Sequence, residues 1–117
     1  MATPIGPYMP VVTAGDLIVV SGQLGLVEGE LADGVTAQTA AVIANLEARL
    51  AEVGATLGDV VKTTCFLTDM ATLSEFNEAY VNGFGDHRPA RSTIGVVGLP
   101  LGASVEIEAL AHRGPSG

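Results

Sequence analysis

The chain has 117 residues, a length typical of one domain, and residues 1–117 are expected to form a single domain. Its formal net charge is −8, from five Lys and Arg against thirteen Asp and Glu. This balance argues against nucleic acid as the main partner, because phosphate binding requires clustered cations. A single cysteine excludes an internal disulfide and a metal cluster of several cysteines.

Neither a targeting segment nor a membrane span is expected. Residues 1–8 lack the basic and apolar regions of a signal peptide, and no apolar run approaches the ~18 residues of a membrane span. A soluble cytoplasmic protein is therefore expected. The composition is 48% hydrophobic but only 4% aromatic. We expect a core of Val, Ala, Leu and Ile, with surplus apolar surface covered by identical subunits.

The N-terminal third predicts two strands and a loop. Residues 9–14 and 17–22 are rich in β-branched side chains, which favours strands. Residues 25–34 form a glycine-punctuated acidic loop, with a short strand around 26–27.

Residues 36–53 predict a helix. Apolar residues recur there at spacings of three and four, namely at Ile43, Leu46, Leu50 and Val53. Gly54 follows where a left-handed C-terminal cap is expected.

A second helix is predicted for residues 72–84. Thr72 and Glu75 have the spacing of a capping box, and Gly83 and Gly85 are expected to end the helix. Its inner face is expected to contain Leu73, Phe76 and Tyr80.

Three more strands complete the prediction, over residues 60–67, 90–97 and 104–112. Cys65 lies in the first of them, in apolar surroundings that favour a buried structural thiol over a reactive one. The order β-β-α-β-α-β-β indicates an α+β domain with both helices packed on one face of a mixed sheet.

One cation and one acid in the C-terminal stretch are candidates for chemistry. Arg91 begins an apolar strand that is expected to be buried, and a guanidinium there can bind a carboxylate through two hydrogen bonds. A surface arginine or a structural ion pair is the alternative. His87, Arg88 and Arg91 fall within five positions, which suggests a local site for a small anion.

Glu106 and Glu108 alternate with aliphatic residues and therefore share one face of a strand. A glutamate there can orient a water molecule or exchange a proton, although a plain solvated face has the same pattern. We interpret Glu108 as structural, with a cation as its partner.

An ordered set of short motifs resembles the Rid family, the reactive intermediate deaminases of RidA or YjgF type. The motifs are IGPY at 5–8, SGQ at 21–23, VKTT at 61–64, DM at 69–70, Asn77, PARS at 89–92, LP at 99–100 and VEIE at 105–108. The resemblance covers nearly the whole chain. It implies a chorismate-mutase-like fold that forms a homotrimer, with a site in each cleft between subunits.

The resemblance also implies an activity. Family members of this type hydrolyse 2-aminoacrylate and 2-iminobutyrate, released by pyridoxal-phosphate enzymes, to 2-keto acids and ammonia. A non-catalytic trimer that binds keto or imino acids is the alternative. An endoribonuclease or translation inhibitor, a function attached to some members, is disfavoured by the charge of −8.

Seven residues are implied as the site. Arg91 would bind the substrate carboxylate, while Glu106 and Tyr8 would hold the attacking water. The substrate-binding set would be Ser21, Gly22, Asn77 and Thr93, the last at a position where many relatives carry cysteine.

Ordinary structural roles remain open for several of these residues. Tyr8 could anchor the N-terminus, Ser21 and Gly22 could form a turn that ends the second strand, and Asn77 could make a packing hydrogen bond. No metal-ligand spacing, phosphate loop or dinucleotide fingerprint is present, and we expect no metal and no organic cofactor.

Overall fold

The computed structural model describes residues 6–114, which form a five-stranded sheet, a small hairpin and two helices. The strands are β1 (Val11–Ala14), β2 (Leu17–Leu24), β3 (Leu26–Val27), β4 (Glu30–Leu31), β5 (Val60–Leu67), β6 (Ala90–Gly95) and β7 (Val105–His112). The helices are α1 (Val35–Ala51) and α2 (Leu73–Phe84). Neither helix is long and apolar enough to cross a membrane, and the described residues contain no other helix that is.

The large sheet has the strand order β1-β2-β7-β5-β6. Its neighbours are antiparallel except β5 and β6, which are parallel and are connected through α2. The predicted α+β class, the order of the main elements and the placement of both helices on one face are confirmed. The hairpin β3–β4 is added between β2 and α1.

The core lies between the helices and one face of the sheet. Alternate residues of β5 and β7 point into it, as the two-residue period requires. Cys65 is fully buried there, and burial raises the pKa of its thiol to about 11, so the prediction of a buried structural thiol is confirmed. The largest fully buried side chains are Ile18, Val20, Thr39, Val42, Leu46, Leu50, Val60, Thr63, Leu67, Phe76, Val105 and Ile107.

The end of α2 differs from the prediction. Gly85, with φ of 64°, follows the last residue of the helix, whereas Gly83 lies inside it. A Cβ on Gly83 would lie 2.5 Å from Cδ1 of Ile43, so this glycine allows α1 and α2 to approach closely. The prediction that Gly83 ends the helix was wrong because sequence position alone does not distinguish a cap from a helix contact.

The capping box predicted at the start of α2 was also wrong. Thr72 donates its hydroxyl proton to the carbonyl oxygen of Asp69, at 2.6 Å, and makes no side-chain cap. Glu75 instead accepts a hydrogen bond of 2.9 Å from the hydroxyl of Thr36 on α1. The Asp69 carboxylate caps the preceding turn by accepting from the backbone N–H of Ala71.

Strand β2 continues two residues beyond the predicted end. Ser21 and Gly22 therefore do not terminate it, but lie at an irregularity in its pairing with β7, between Val20 and Gln23. The irregularity replaces the turn expected at these residues.

The predicted short strand at residues 26–27 is confirmed as β3. Its partner β4 was not predicted, because each strand has only two residues. The turn between them contains Glu28 and Gly29, with φ values of 52° and 85°, as a tight hairpin requires.

Strand β6 is the edge of the sheet and is largely exposed, so the expectation that Arg91 leads into a buried strand was wrong. The apolar composition of β6 did not reveal its edge position, which depends on long-range pairing. The sheet face opposite the helices also carries exposed large apolar side chains. We call Val12, Leu17, Val19, Ile94 and Leu110 the open-face patch.

Candidate functional site

A cavity of about 570 Å³ lies beside the last residues of β2. Its walls include Tyr8 from the N-terminal segment, Gly22 from β2 and Glu106 from β7. Three of the seven residues implied as the site therefore line one cavity. The size falls in the range that holds small-molecule ligands.

Glu106 is held close to the backbone of β2. A Cβ on Gly22 would lie 2.7 Å from Cδ and 2.8 Å from Oε2 of Glu106, closer than such atoms can approach. Glycine at position 22 therefore leaves the space that the carboxyl group occupies. The irregular pairing of β2 with β7 occurs at the same point.

The environment of Glu106 changes its acidity. Burial of the half-buried side chain raises the pKa of its carboxyl group, and the nearby charge of Glu108 raises the pKa further. A carboxyl group with this shift exchanges a proton at a pH closer to neutrality than an ordinary glutamate does.

The side chain of Glu108 is exposed. The one ion pair found within residues 6–114 joins Arg49 and Glu52. The cation expected as a partner of Glu108 is therefore absent there.

Tyr8 lies at the rim of the cavity with 44% of its surface exposed. Ser21, beside Gly22, donates its hydroxyl proton to the carbonyl oxygen of Met9 at 2.7 Å, and its backbone N–H donates to Pro10. Ser21 thus attaches the N-terminal segment, with Tyr8, to β2. Ile5 of the IGPY motif lies outside the described residues.

The cavity also contains residues that sequence analysis missed. Asn45 on α1 donates hydrogen bonds to the carbonyl oxygens of Leu24, at 2.9 Å, and Leu26, at 3.0 Å. Arg49, one helical turn later, lines the same wall. Asparagine has poor propensity for the middle of a helix, and this misfit at Asn45 was the available signal.

Arg91 lies on the other side of the sheet from Glu106. In β6 it pairs in register with buried Thr63, and its guanidinium carbon lies 4.9 Å from the centre of the Tyr80 ring on α2. Glu106 alternates in β7 with buried Val105 and Ile107, so its side chain points away from the helices. A single copy of the chain does not bring Arg91 and Glu106 together.

Two of the three cations expected to form an anion site hydrogen-bond to backbone carbonyl oxygens. His87 Nε2 hydrogen-bonds to the carbonyl oxygen of Val60 at 2.7 Å, and Arg88 donates to the carbonyl oxygens of Gly85 and His87. Both side chains therefore hold the loop before β6. Arg91 makes no ion pair with the described residues.

Asn77 and Thr93 share one feature. Asn77 Oδ1 on α2 and Thr93 Oγ1 on β6 are buried and have no hydrogen-bond partner among residues 6–114. Thr93 points to the same side of β6 as Arg91. Buried polar atoms are normally satisfied by protein, water or ligand, so both are candidates for further contacts.

The geometry thus separates the implied residues into two groups. Tyr8, Ser21, Gly22 and Glu106 lie at or beside the cavity, whereas Arg91 and Thr93 on β6 and Asn77 on α2 lie away from it. In the part of the chain that the structure describes, no group of three or more His, Cys, Asp or Glu side chains is placed to hold a metal ion.

Residues 1–113 match the protein family described as Endoribonuclease L-PSP. A RutC family protein of Pyrococcus abyssi is 41% identical over 113 residues, covering 94% of this chain and 89% of the relative. The 2-iminobutanoate/2-iminopropanoate deaminase of Escherichia coli K12 is 38% identical over 114 residues, covering 93% of this chain and 89% of the enzyme.

The fold agrees with a solved relative. The crystal structure of RidA from an Antarctic Psychrobacter matches with a TM-score of 0.90 and 36% identity, over 94% of this chain and 91% of that one. Together with the matched family and the curated relatives, this similarity shows that the chain belongs to the Rid family, the YjgF and RutC group within Endoribonuclease L-PSP.

Proposed function

We propose that this protein hydrolyses reactive 2-imino and 2-enamino acids, such as 2-iminobutyrate and 2-aminoacrylate, to 2-keto acids and ammonia. The observation that carries the proposal is the half-buried Glu106 carboxyl group, which has a raised pKa and lies in a cavity beside Gly22. Such a group suits the transfer of a proton between water and a departing nitrogen. The name of the Escherichia coli relative supports the same reaction class.

The complete site is proposed to form between copies of the chain in a homotrimer. Arg91 and Glu106 lie on opposite sides of the sheet, so one copy would supply the arginine and its neighbour the glutamate. The open-face patch supports association, because large exposed apolar patches usually mark interfaces.

In the proposed mechanism, Arg91 binds the substrate carboxylate through two parallel hydrogen bonds. Glu106 and Tyr8 of the neighbouring copy hold a water molecule, and the Glu106 carboxylate accepts a proton as the water oxygen attacks the imine carbon. Glu106 then returns that proton to the nitrogen, which gives a carbinolamine. Glu106 next transfers the proton of the new hydroxyl group to the nitrogen, and the C–N bond breaks as the C=O bond forms, which gives the keto acid and ammonia. Backbone groups near Thr93 and Gly22 would orient the nitrogen. No covalent enzyme intermediate is required, so positioning and proton transfer supply the catalysis.

We propose that the protein removes these reactive imino and enamino acids in the cytoplasm. The proposal assigns it no function on RNA. The family description refers to an endoribonuclease, but a net charge of −8 disfavours the neutralisation of several phosphates. Arg49 lies in the wall of the cavity, but its charge is already paired with Glu52.

A coupled assay tests the proposal. A pyridoxal-phosphate dehydratase generates 2-iminobutyrate or 2-aminoacrylate, and keto-acid release is followed with wild type, Arg91→Ala and Glu106→Gln. We expect acceleration by wild type alone, with a loss of about 10²-fold to 10⁴-fold in Glu106→Gln, as for a residue that transfers a proton.

The alternative is a protein that binds keto or imino acids without catalysis. It predicts no acceleration by wild type on either substrate, together with keto-acid binding that is weakened in Arg91→Ala. Glu106→Gln would then retain binding, because glutamine preserves a hydrogen-bond acceptor at the same position.

A further inference from the structure

The guanidinium of Arg91 rests against two buried aromatic rings of α2. Its central carbon lies 4.9 Å from the centre of the Tyr80 ring and 5.5 Å from that of Phe76. Tyr80 is 4% exposed and Phe76 is fully buried, so water is largely excluded from the rings that face the cation. Arg91 itself is exposed in a single copy, so the attraction of its cation to the rings lies between that of an exposed site and that of a desolvated one.

Tyr80 is itself held at its far end. Its hydroxyl and that of Thr63 form a buried hydrogen bond of 2.7 Å. Thr63 lies in β5 directly opposite Arg91 in the parallel pairing of β5 with β6. The backbone of Arg91 thus pairs with Thr63, the Thr63 hydroxyl binds the Tyr80 hydroxyl, and the Tyr80 ring contacts the Arg91 guanidinium.

The acidic groups beside the ring are uncharged at neutral pH, whereas the charge of Arg88 also acts on Tyr80. Burial raises the pKa of Tyr80, and burial raises that of Cys65, whose thiol contacts Thr63, to about 11. Neither a phenolate nor a thiolate competes for the guanidinium. Contact with aromatic faces is compatible with guanidinium N–H groups remaining available at its edges to bind a carboxylate.

We propose that Tyr80 is a positioning residue for Arg91: the ring holds the guanidinium, and the hydroxyl bond to Thr63 holds the ring. The inference rests on the proposed role of Arg91 in binding the carboxylate. It adds a residue that touches no substrate and acts on carboxylate affinity rather than on the chemical step.

Binding of 2-oxobutanoate, a product of the proposed reaction, tests this inference without requiring turnover. NMR titration of wild type, Tyr80→Leu and Phe84→Leu gives the three values of Kd. We expect Tyr80→Leu to raise Kd about threefold to thirtyfold, the range for loss of a cation–ring contact. Phe84 is the matched control, because its ring packs 4.8 Å from Tyr80 without contacting Arg91, and Phe84→Leu should change Kd less than about twofold.

Two further readouts separate positioning from a general loss of structure. In the coupled assay, Tyr80→Leu should raise KM by the same factor and leave kcat within about threefold of wild type. In an Arg91→Ala background, Tyr80→Leu should not weaken 2-oxobutanoate binding further. Equal increases in Kd for Tyr80→Leu and Phe84→Leu, or additive effects in the double variant, would overturn the inference.

A second variant and a spectroscopic measurement apply if Tyr80→Leu does not fold. The pair Thr63→Val/Tyr80→Phe removes both hydroxyls and leaves neither unpaired, so it should fold. It is expected to raise Kd about twofold to fivefold because the ring is no longer held. In wild type, the Arg91 Nε–H resonance should be displaced by the ring current of Tyr80, and a resonance at the position of an exposed arginine would overturn the contact.

Failure of the inference and failure of the proposed function are distinguishable. Arg91-dependent binding of 2-oxobutanoate without imine turnover would contradict the deaminase function, whereas the comparison of Tyr80→Leu with Phe84→Leu would still decide the inference. Absence of any Arg91-dependent binding in wild type would overturn the inference.

Discussion

Glu106 occupies the space that a side chain at position 22 would need. A Cβ on Gly22 would lie 2.7 Å from the carboxyl carbon of Glu106. The colliding group is the end of a flexible side chain, so the carboxyl group can move away at small energetic cost. Gly22 therefore determines where the carboxyl lies rather than whether the domain folds.

Gly22→Ala should leave the protein folded, with a change in stability below about 1 kcal/mol, and lower kcat/KM about 10-fold to 100-fold. Thermal unfolding and the coupled assay measure the two effects. Gly58→Ala is the control, because a Cβ there would lie at an ordinary contact distance of 3.5 Å from Thr56 Oγ1. Equal activity in the two variants would show that the carboxyl position is not critical.

The pH dependence of turnover should reflect Glu106. Its pKa is raised first by burial and second by Glu108, and the proposed mechanism requires the carboxylate. Activity should therefore increase as pH rises through the raised pKa. Glu108→Gln removes the second cause, so the acidic limb of the kcat/KM profile should move to lower pH. An unchanged limb would mean that another group controls the profile.

Glu106→Gln should stabilise the protein in a pH-dependent way. Because the pKa of Glu106 is higher in the folded state, that state binds more protons than the unfolded chain between the ordinary and the raised pKa. Stability of wild type falls as pH rises through this window, and the variant lacks this loss. Its melting temperature should exceed that of wild type at pH 7.5 and lose this advantage below the ordinary glutamate pKa of about 4.3. A constant difference across pH would contradict the linkage.

Arg91→Lys should retain the fold and lose most activity. A lysine ammonium is a point charge and does not reproduce two parallel hydrogen bonds from a planar group. Loss of a charge-assisted hydrogen bond corresponds to a KM increase of about 10-fold to 100-fold. Far-ultraviolet circular dichroism checks the fold. Near-normal turnover would show that Arg91 does not hold the substrate as proposed.

Local sequence patterns were sufficient for the main elements. Strand β5 has the predicted bounds, Val60–Leu67, because β-branched residues and flanking polar residues both mark it. Helix α1 begins one residue earlier than predicted and ends two residues earlier, within the uncertainty of helix ends. Gly54 has the expected left-handed conformation, with φ of 76°.

Properties that depend on long-range pairing could not be predicted in this way. Strand β6 lies at the exposed edge of the sheet because it pairs with β5, from which α2 separates it in the sequence. The periodicity within β6 does not contain that information. The contact between Gly22 and Glu106 depends on irregular pairing between distant strands. The motifs could identify both residues individually, whereas their separation from Arg91 required the folded sheet.

The most direct test of the central claim, that neighbouring copies share the site, is activity of mixed assemblies. Arg91→Ala and Glu106→Gln are co-expressed with different tags, and mixed assemblies are purified and their composition verified by mass spectrometry. If Arg91 of one copy works with Glu106 of the next, each purified mixed trimer regains one wild-type site in three, about a third of wild-type activity, although each variant alone is inactive. Arg91→Ala co-expressed with the double variant Arg91→Ala/Glu106→Gln is the control and should remain inactive. Verified mixed assemblies without restored imine hydrolysis would contradict a shared site.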